Sequence, residues 1–139
     1  MKEKLDLYIK AAQSAKIGIW KFNIHTNDVY WDPVTKCIHE VPIDYEPDLE
    51  SAVSFYTSGG NRDRLTLLVD KAVNEGIAFE DKFQIITAKN NIKYVECICQ
   101  IEYKNGKPVE LLGTFQDITN EQNLINEMQY NVEKFSPRW

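Results

Sequence analysis

The 139-residue chain has little of what several common kinds of protein site require. It contains three cysteines, an odd number, so we expect free thiols in a reducing compartment and not a disulfide framework. Its two histidines, His25 and His39, do not have the spacing of metal ligands. A Cys-x-Cys pair, Cys97 and Cys99, could bind metal only with further ligands, so we interpret it as part of the core. No metal site is expected.

Long apolar runs and an excess of basic charge are also missing. No segment approaches the ~20 consecutive apolar residues of a membrane-spanning helix. Lys10 and Gln13 interrupt the apolar stretch near the N-terminus, so no signal peptide is expected there. The net charge is −5, with no basic stripe. We therefore expect no nucleic-acid partner, no direct membrane contact and a cytoplasmic location, either in a soluble protein or in the cytosolic part of a membrane-bound receptor.

Catalytic motifs are absent as well. Glu80 and Asp81 are neighbours on a predicted strand, where adjacent side chains face opposite sides and cannot act as a pair. His39-Glu40 lacks the second histidine of a zinc-protease motif, and no glycine-rich loop resembles a phosphate cradle. We expect no enzymatic activity from this chain.

What is present is a pattern of strands and helices. Alternating apolar residues predict strands, and apolar residues at helical spacing predict helices. The predicted strands cover 17–24, 28–31, 78–88, 92–103 and 108–118, and the predicted helices cover 2–14, 48–56 and 61–74, with only short helical turns between Pro33 and Pro47. Asp48 and Asn61 are predicted N-caps, and Gly76 is a predicted helix end.

This order predicts an α+β fold. It would consist of a five-stranded antiparallel sheet with short helices on one face, flanked by an N-terminal and a C-terminal helix. We divide the chain into an N-terminal amphipathic helix (1–15), a central domain (16–119) and a C-terminal helix (120–139).

The register of the strands decides which residues face inward. Choosing a three-residue loop, Lys104-Asn105-Gly106, over a two-residue turn puts Leu111 opposite Cys99 and keeps the apolar residues of both strands on one face. The same reasoning places Ile85 opposite Val95. With the helices as cover, either a small-molecule pocket or a filled core results, lined by Phe55, Leu65, Leu68, Phe83, Ile85, Cys97 and Phe115.

The last strand runs directly into a helix at Asp117-Ile118-Thr119. Thr119 and Gln122 have the spacing of a capping box, so any strain in the sheet could move the helix. We interpret these three residues as a signal relay. Further along, Ile118, Ile125 and Val132 recur every seven residues, with Met128 at an intervening position. Ile125, Met128 and Val132 are therefore predicted to form a parallel homodimer, unless the helix folds back or frays.

The ordered series of segments resembles the PAS domains of bacterial and archaeal histidine kinases and diguanylate cyclases. The resemblance covers about three-quarters of the chain and rests on Gly18-Ile19-Trp20-Lys21-Phe22-Asn23, Ala52…Phe55-Tyr56, Arg64-Leu65…Gly76…Phe79, Phe83-Gln84-Ile85-Ile86-Thr87, Tyr94-Val95 and Gly113 to Thr119. It implies a sensory module of a two-component or similar signal-transduction system, which binds a small molecule or a partner. The output domain would be a kinase or cyclase, on the same polypeptide or on a partner protein.

Two alternatives stay open beside this interpretation. One is a redox or gas sensor that binds haem or flavin. Asn61-Arg62-Asp63-Arg64 lacks the reactive cysteine of flavin photosensors, and the long helix lacks a histidine for haem, so no cofactor is predicted and any ligand is unknown. The other is a small enzyme, which would need acid–base groups inside the cavity, where the predicted register places none. Arg62 and Arg64 are either solvated or in contact with an anionic ligand.

Overall fold

The computed structural model describes residue 7 and residues 16–135, with the backbone alone for 133–135. The predicted helix 2–14 therefore lies outside the described residues. The elements, in chain order, are β1 (Ile17–Asn23), β2 (Val29–Trp31), α1 (Pro33–Ile38), α2 (Leu49–Ser54), α3 (Gly60–Glu75), β3 (Phe79–Ile86), β4 (Ile92–Lys104), β5 (Lys107–Asp117) and α4 (Thr119–Phe135). The predicted α+β order is confirmed.

The five strands form one antiparallel sheet in the order β2-β1-β5-β4-β3. Apolar side chains alternate along the strands, so one face is buried and helices α1, α2 and α3 pack on that side. The strand residues buried on this inner face are Phe22, Trp31, Phe83, Ile85, Val95, Cys97, Cys99, Leu111 and Phe115. The predicted inner face is therefore confirmed.

The hairpin between β4 and β5 has a different turn from the predicted one. Lys104 pairs with Lys107, so the turn has two residues, Asn105 and Gly106, both with positive φ. A β-bulge then leaves Val109 without an opposite residue. This extra residue restores the inward direction of the apolar residues that a two-residue turn would otherwise have reversed. Leu111 lies opposite Ile101, Gly113 opposite Cys99 and Phe115 opposite Cys97, two residues from the predicted pairing.

The hairpin between β3 and β4 is also displaced by two residues. Phe83 lies opposite Val95 and Ile85 opposite Lys93, whereas the sequence predicted Ile85 opposite Val95. The loop begins one residue earlier than predicted, because Thr87 N–H donates to the Asn91 carbonyl at 2.9 Å. A shift of two residues keeps each side chain on its face, so burial alone does not distinguish the two registers.

Two glycines allow close packing on the sheet. A Cβ atom at Gly18 would lie 2.0 Å from Thr35 Oγ1, so this glycine lets α1 sit against β1. A Cβ atom at Gly113 would lie 1.7 Å from the Ile98 carbonyl oxygen. Both distances are far inside van der Waals contact, so a larger residue at either position would force the backbone apart.

The helix ends follow the sequence in two of three cases. Asp48 accepts the Ser51 N–H at 2.7 Å and caps α2, as predicted. Gly76 ends α3 in the left-handed conformation, also as predicted. Asn61, however, is not the N-cap of α3: the helix starts at Gly60, and the Asn61 side chain instead accepts the Gln84 N–H of β3 at 3.1 Å.

Candidate functional site

A cavity of about 80 Å³ lies between the inner face of the sheet and the helices. The sheet contributes Trp20, Trp31 and Phe115 to its wall, and α2 and α3 contribute apolar residues including Val53 and Leu65. All of the lining residues are uncharged. A space of this kind is suited to an uncharged molecule, since burying an uncompensated charge is very costly.

His39 is the most unusual residue of the wall. It follows α1 directly and is 1% exposed. Its imidazole ring is stacked between Trp31, at a centroid distance of 4.0 Å, and Phe115, at 4.9 Å, with Phe55 edge-on at 5.0 Å. This role is not predictable from the sequence, because an isolated histidine in a short irregular segment has no periodicity that would reveal burial.

The segment that carries His39 is fixed by the loop between β3 and β4. The His39 carbonyl accepts the Ala88 N–H at 3.1 Å. The carboxylate of the next residue, Glu40, accepts hydrogen bonds from Thr87 Oγ1 and Asn91 Nδ2, both at 2.7 Å. These two bonds, the Thr87 bond first, lower the pKa of Glu40 below its ordinary value. The imidazole is therefore held from outside the cavity and does not need a ligand to keep its position.

Three titratable groups line the cavity: Cys97, which the predicted register places there, and His39 and Tyr56, which it does not. Burial lowers the pKa of His39 to about 4, and it raises the pKa values of the Tyr56 hydroxyl and the Cys97 thiol well above their ordinary ranges. All three groups are therefore neutral near pH 7. A thiol that stays protonated is a poor nucleophile, so these residues do not form a Cys–His catalytic pair.

The predicted pocket residues are only partly brought together. Leu65, Cys97 and Phe115 line the cavity. The other four, Phe55, Leu68, Phe83 and Ile85, belong to the surrounding core and are not part of the lining. Phe83 and Ile85 face the correct side of the sheet, but they lie further along the edge strand β3 than Phe79, the residue of this strand that lines the cavity.

Both arginines at the start of α3 make polar contacts within the protein, and Arg64 is also exposed to solvent. Arg62 Nη2 donates to the carbonyl oxygens of Ser54 and Tyr56, at 3.1 and 3.0 Å, and so closes the end of α2. Arg64 forms an ion pair with Asp81 at 2.8 Å, and its guanidinium lies 4.7 Å from the centroid of the Phe83 ring. Their polar contacts are therefore with the protein itself.

The junction between β5 and α4 is hydrogen-bonded to the sheet. Ile118 N–H donates to the Tyr94 carbonyl at 2.9 Å, and Thr119 Oγ1 accepts the Tyr94 N–H at 3.1 Å. Asp117 accepts both the N–H and the hydroxyl of Thr119, at 2.9 and 2.5 Å. The predicted capping box is therefore wrong: Gln122 N–H donates to the Ile118 carbonyl, because the threonine hydroxyl is already occupied by the sheet.

Lys93, which the sequence did not single out, connects this junction to the cavity wall. Its Nζ donates to the Ile38 carbonyl at the end of α1, at 2.9 Å, and lies 3.7 Å from the Asp117 carboxylate. Both partners are only partly exposed, so the ion pair is less screened by water than a surface pair. Lys93 therefore contacts both Ile38, the residue before His39, and Asp117, which lies just before α4.

Helix α4 presents apolar side chains that nothing in the described part of the chain covers. Ile125, Met128 and Val132 are 42%, 59% and 69% exposed. The helix continues from the sheet to Phe135, as the sequence predicted. Within residues 16–135, no helix is long and apolar enough to cross a membrane, and no group of three or more metal-binding side chains occurs.

Comparison with known proteins identifies the architecture. No protein-family model and no curated protein matches the chain. Among solved structures, a sensory box histidine kinase/response regulator from Burkholderia thailandensis has a TM-score of 0.71 at 18% identity, over 91% of this chain and 95% of that one. The N-terminal domain of a diguanylate cyclase with a PAS/PAC sensor, from Marinobacter aquaeolei, has a TM-score of 0.70 at 16% identity, over 76% and 98%.

A light-oxygen-voltage domain studied with a flavin analogue is also similar, with a TM-score of 0.63 at 12% identity, over 91% of this chain and 95% of that one. The cavity described above does not fit a flavin. Its volume of about 80 Å³ is well below the ~300 Å³ at which ligand pockets usually begin. A haem is larger still, so the same limit applies. At these identities, the three likenesses establish a shared fold.

Proposed function

Because the chain has the PAS fold, as its residue pattern predicts, we propose that it is a non-catalytic sensory module. In this proposal the inner cavity takes a small molecule, and helix α4 carries the resulting change to an output domain. The neutral state of His39, Tyr56 and Cys97 supports binding over catalysis.

The observation that carries the proposal is the short path from cavity to exit helix. His39 lines the cavity, and the preceding residue, Ile38, accepts the hydrogen bond from Lys93. Lys93 in turn forms an ion pair with Asp117, whose carboxylate accepts the N–H of Thr119, the first residue of α4. A second route runs along β5, where Phe115 stacks on His39 two residues before Asp117. A ligand that displaces the imidazole would therefore strain the start of α4 through both of these routes.

The proposed output of the module rests on the fold neighbours and on the exposed apolar side chains of α4. The neighbours named above are a histidine kinase and a diguanylate cyclase, so the proposed output is a domain of one of these kinds, on the same polypeptide or on a partner protein. Ile125, Met128 and Val132 are the proposed contact between two copies of the helix. The proposed location is the cytoplasm, on the side where such output domains act.

Native mass spectrometry of freshly purified protein tests the sensory part. We expect a small molecule that stays bound in the folded state and is released on denaturation. A protein that carries no added mass, from several growth conditions, would contradict a tight ligand site.

Hydrogen exchange tests the relay. Replacing Lys93 with Met keeps most of the apolar stem and removes the ammonium group. We expect faster amide exchange both at 38–40 and at 119–123, because one lysine connects the two segments. Lys104→Met, at the exposed end of β4, is the matched control and should change neither segment. Faster exchange at one segment alone would show that the lysine does not couple them.

A further inference from the structure

Two of the polar side chains that line the cavity each have an atom without a hydrogen-bond partner among the residues that the structure describes. The first is His39, whose Nδ1 is bonded to the Thr35 carbonyl oxygen at 2.8 Å, which leaves Nε2 unused. The second is Tyr56, whose side chain is 7% exposed and whose hydroxyl has no protein partner. Buried polar groups are nearly always hydrogen-bonded in folded proteins. Both atoms belong to residues that line one small cavity, so a ligand there has two protein atoms available for hydrogen bonds.

The bond to Thr35 defines the chemistry of the unused histidine atom. A carbonyl oxygen only accepts hydrogen bonds, so the proton of the neutral imidazole must be on Nδ1. Nε2 then carries a lone pair and accepts. Burial keeps the ring neutral, because it lowers the pKa of His39 to about 4. The cavity thus presents an acceptor that requires a donor from the ligand.

Size and charge narrow the ligand further. A water molecule occupies about 30 Å³ of liquid, so a cavity of about 80 Å³ holds roughly three non-hydrogen atoms, and a compact molecule of four is at its upper limit. The uncharged wall offers no partner for a carboxylate, a phosphate or an ammonium group. Water alone would have His39 Nε2 and the Tyr56 hydroxyl as partners, the lower end of the two to four polar partners of a buried water, and it would leave the apolar wall without a matching surface.

We propose that the cavity takes a small uncharged hydroxyl compound, whose O–H donates to His39 Nε2 while its carbon atoms contact Trp31, Leu65 and Phe115. The Tyr56 hydroxyl is a second polar contact for the same end of the molecule or for a companion water. This inference rests on the proposed sensory role of the cavity and names the class of ligand.

The test uses 2-propanol and acetone, which share a carbon skeleton and a number of non-hydrogen atoms but differ in the hydroxyl proton. Each is titrated into the full chain with ¹⁵N-labelled histidine, and the ring nitrogens are observed by NMR. We expect 2-propanol to shift the His39 Nε2 signal saturably, and acetone to bind about three- to tenfold more weakly, the ratio that corresponds to one net hydrogen bond. His25, in an exposed turn, is the internal control and should not respond.

Variants separate the hydrogen bond from the shape of the cavity. His39→Phe keeps a flat ring between Trp31 and Phe115 and removes the acceptor, so the preference for 2-propanol over acetone should disappear. Binding to this variant is followed by the backbone amide signals of uniformly ¹⁵N-labelled protein, because the imidazole observed above is absent. His25→Phe should keep it. If His39→Phe fails to fold, the comparison of 2-propanol with acetone in the unaltered protein still decides.

Three results would overturn the proposal: a spectrum with the proton on Nε2, no saturable response to 2-propanol, or equal binding of acetone. These outcomes are distinct from failure of the sensory role. If native mass spectrometry finds a retained molecule without a hydroxyl group, the class of ligand is wrong and the sensory role stands. If it finds none and neither probe binds, the sensory role of the cavity fails as well.

Discussion

Phe115 and Ile125 stand ten residues apart, on either side of the junction between β5 and α4, and their environments are opposite. Phe115 is 3% exposed and contacts the ring of His39, whereas Ile125 is 42% exposed on a helix with no cover among the described residues. Both are large apolar residues, so composition does not distinguish them. The difference shows that large apolar side chains are buried on the sheet side of the junction and stay exposed on the helix side within residues 16–135.

The strongest test of this contrast is truncation on the sheet side. Phe115→Ala should destabilise the fold by about 3–5 kcal/mol, because it removes a buried ring and enlarges the cavity beside it. Gln116→Ala, the next residue on the opposite face, should cost little. Urea denaturation of the two variants measures the difference, and midpoints in the reverse order would contradict the assignment of the inner face.

A second test adds atoms instead of removing them. Gly113→Ala should cost about 1–3 kcal/mol or more, because the new methyl group would overlap the Ile98 carbonyl oxygen. Gly60→Ala, at the start of α3, has no atom within 4 Å of the new methyl group and should leave stability unchanged or slightly raised. Equal denaturation midpoints for the two variants would show that β4 and β5 are not held at this spacing.

A third test uses pH. In the unfolded chain His39 takes up a proton near pH 6.5, while in the folded chain its pKa is about 4. Stability should therefore be full above pH 6.5 and fall between pH 6.5 and 4, by up to about 1.4 kcal/mol per pH unit. Glu40, whose pKa is also lowered, adds to the loss at the acidic end of this range.

Substitutions at the two histidines test whether His39 is the group responsible for this pH dependence. His39→Phe should flatten the dependence between pH 6.5 and 5, and His25→Phe should leave it as it is. Urea midpoints across the pH range give the result, and an unchanged slope in His39→Phe would mean that the imidazole is not buried in the neutral form.

The smallest effect on stability is expected on the helix side. Ile125→Asp should leave the denaturation midpoint nearly unchanged, because the side chain is largely solvated. Its effect should appear in association instead: sedimentation equilibrium should show a dimer of the unaltered chain at tens of micromolar and a monomer of the variant. A monomeric unaltered chain, or a dimer that the substitution does not affect, would exclude α4 as the dimer contact.

The sequence predicts the faces of the sheet well and the pairing of its strands poorly, and the reason is physical. Side chains on a strand repeat every two residues, so a register that is displaced by two keeps every apolar residue inside. Ile85 is buried whether it lies opposite Val95, as predicted, or opposite Lys93, as observed. The bulge at Val109 is also not visible in the pattern of apolar residues, because it returns the residues that follow it to the inner face.

The candidate site was harder to predict, because its main features come from contacts between distant segments. Leu65, Cys97 and Phe115 line the cavity and are predictable from the periodicity of the helix and strands that carry them. His39 and Lys93 are not. His39 lies in a short irregular segment that the β3–β4 loop holds in place, 47 to 51 residues away from Glu40 along the chain. The capping box predicted at Thr119 is wrong for the same reason: its hydroxyl accepts the N–H of Tyr94 on another strand.

The three thiols of the chain are distributed unequally, and this makes the protein its own spectroscopic probe. Cys37 is exposed at the end of α1, two residues before His39, whereas Cys97 and Cys99 are buried in the sheet. A maleimide dye should therefore attach to the native protein at one position, without any engineered cysteine, because buried, protonated thiols react slowly. The dye would report on the outside of the very segment whose inner side meets the cavity, so occupancy of the cavity could be read as a change in fluorescence.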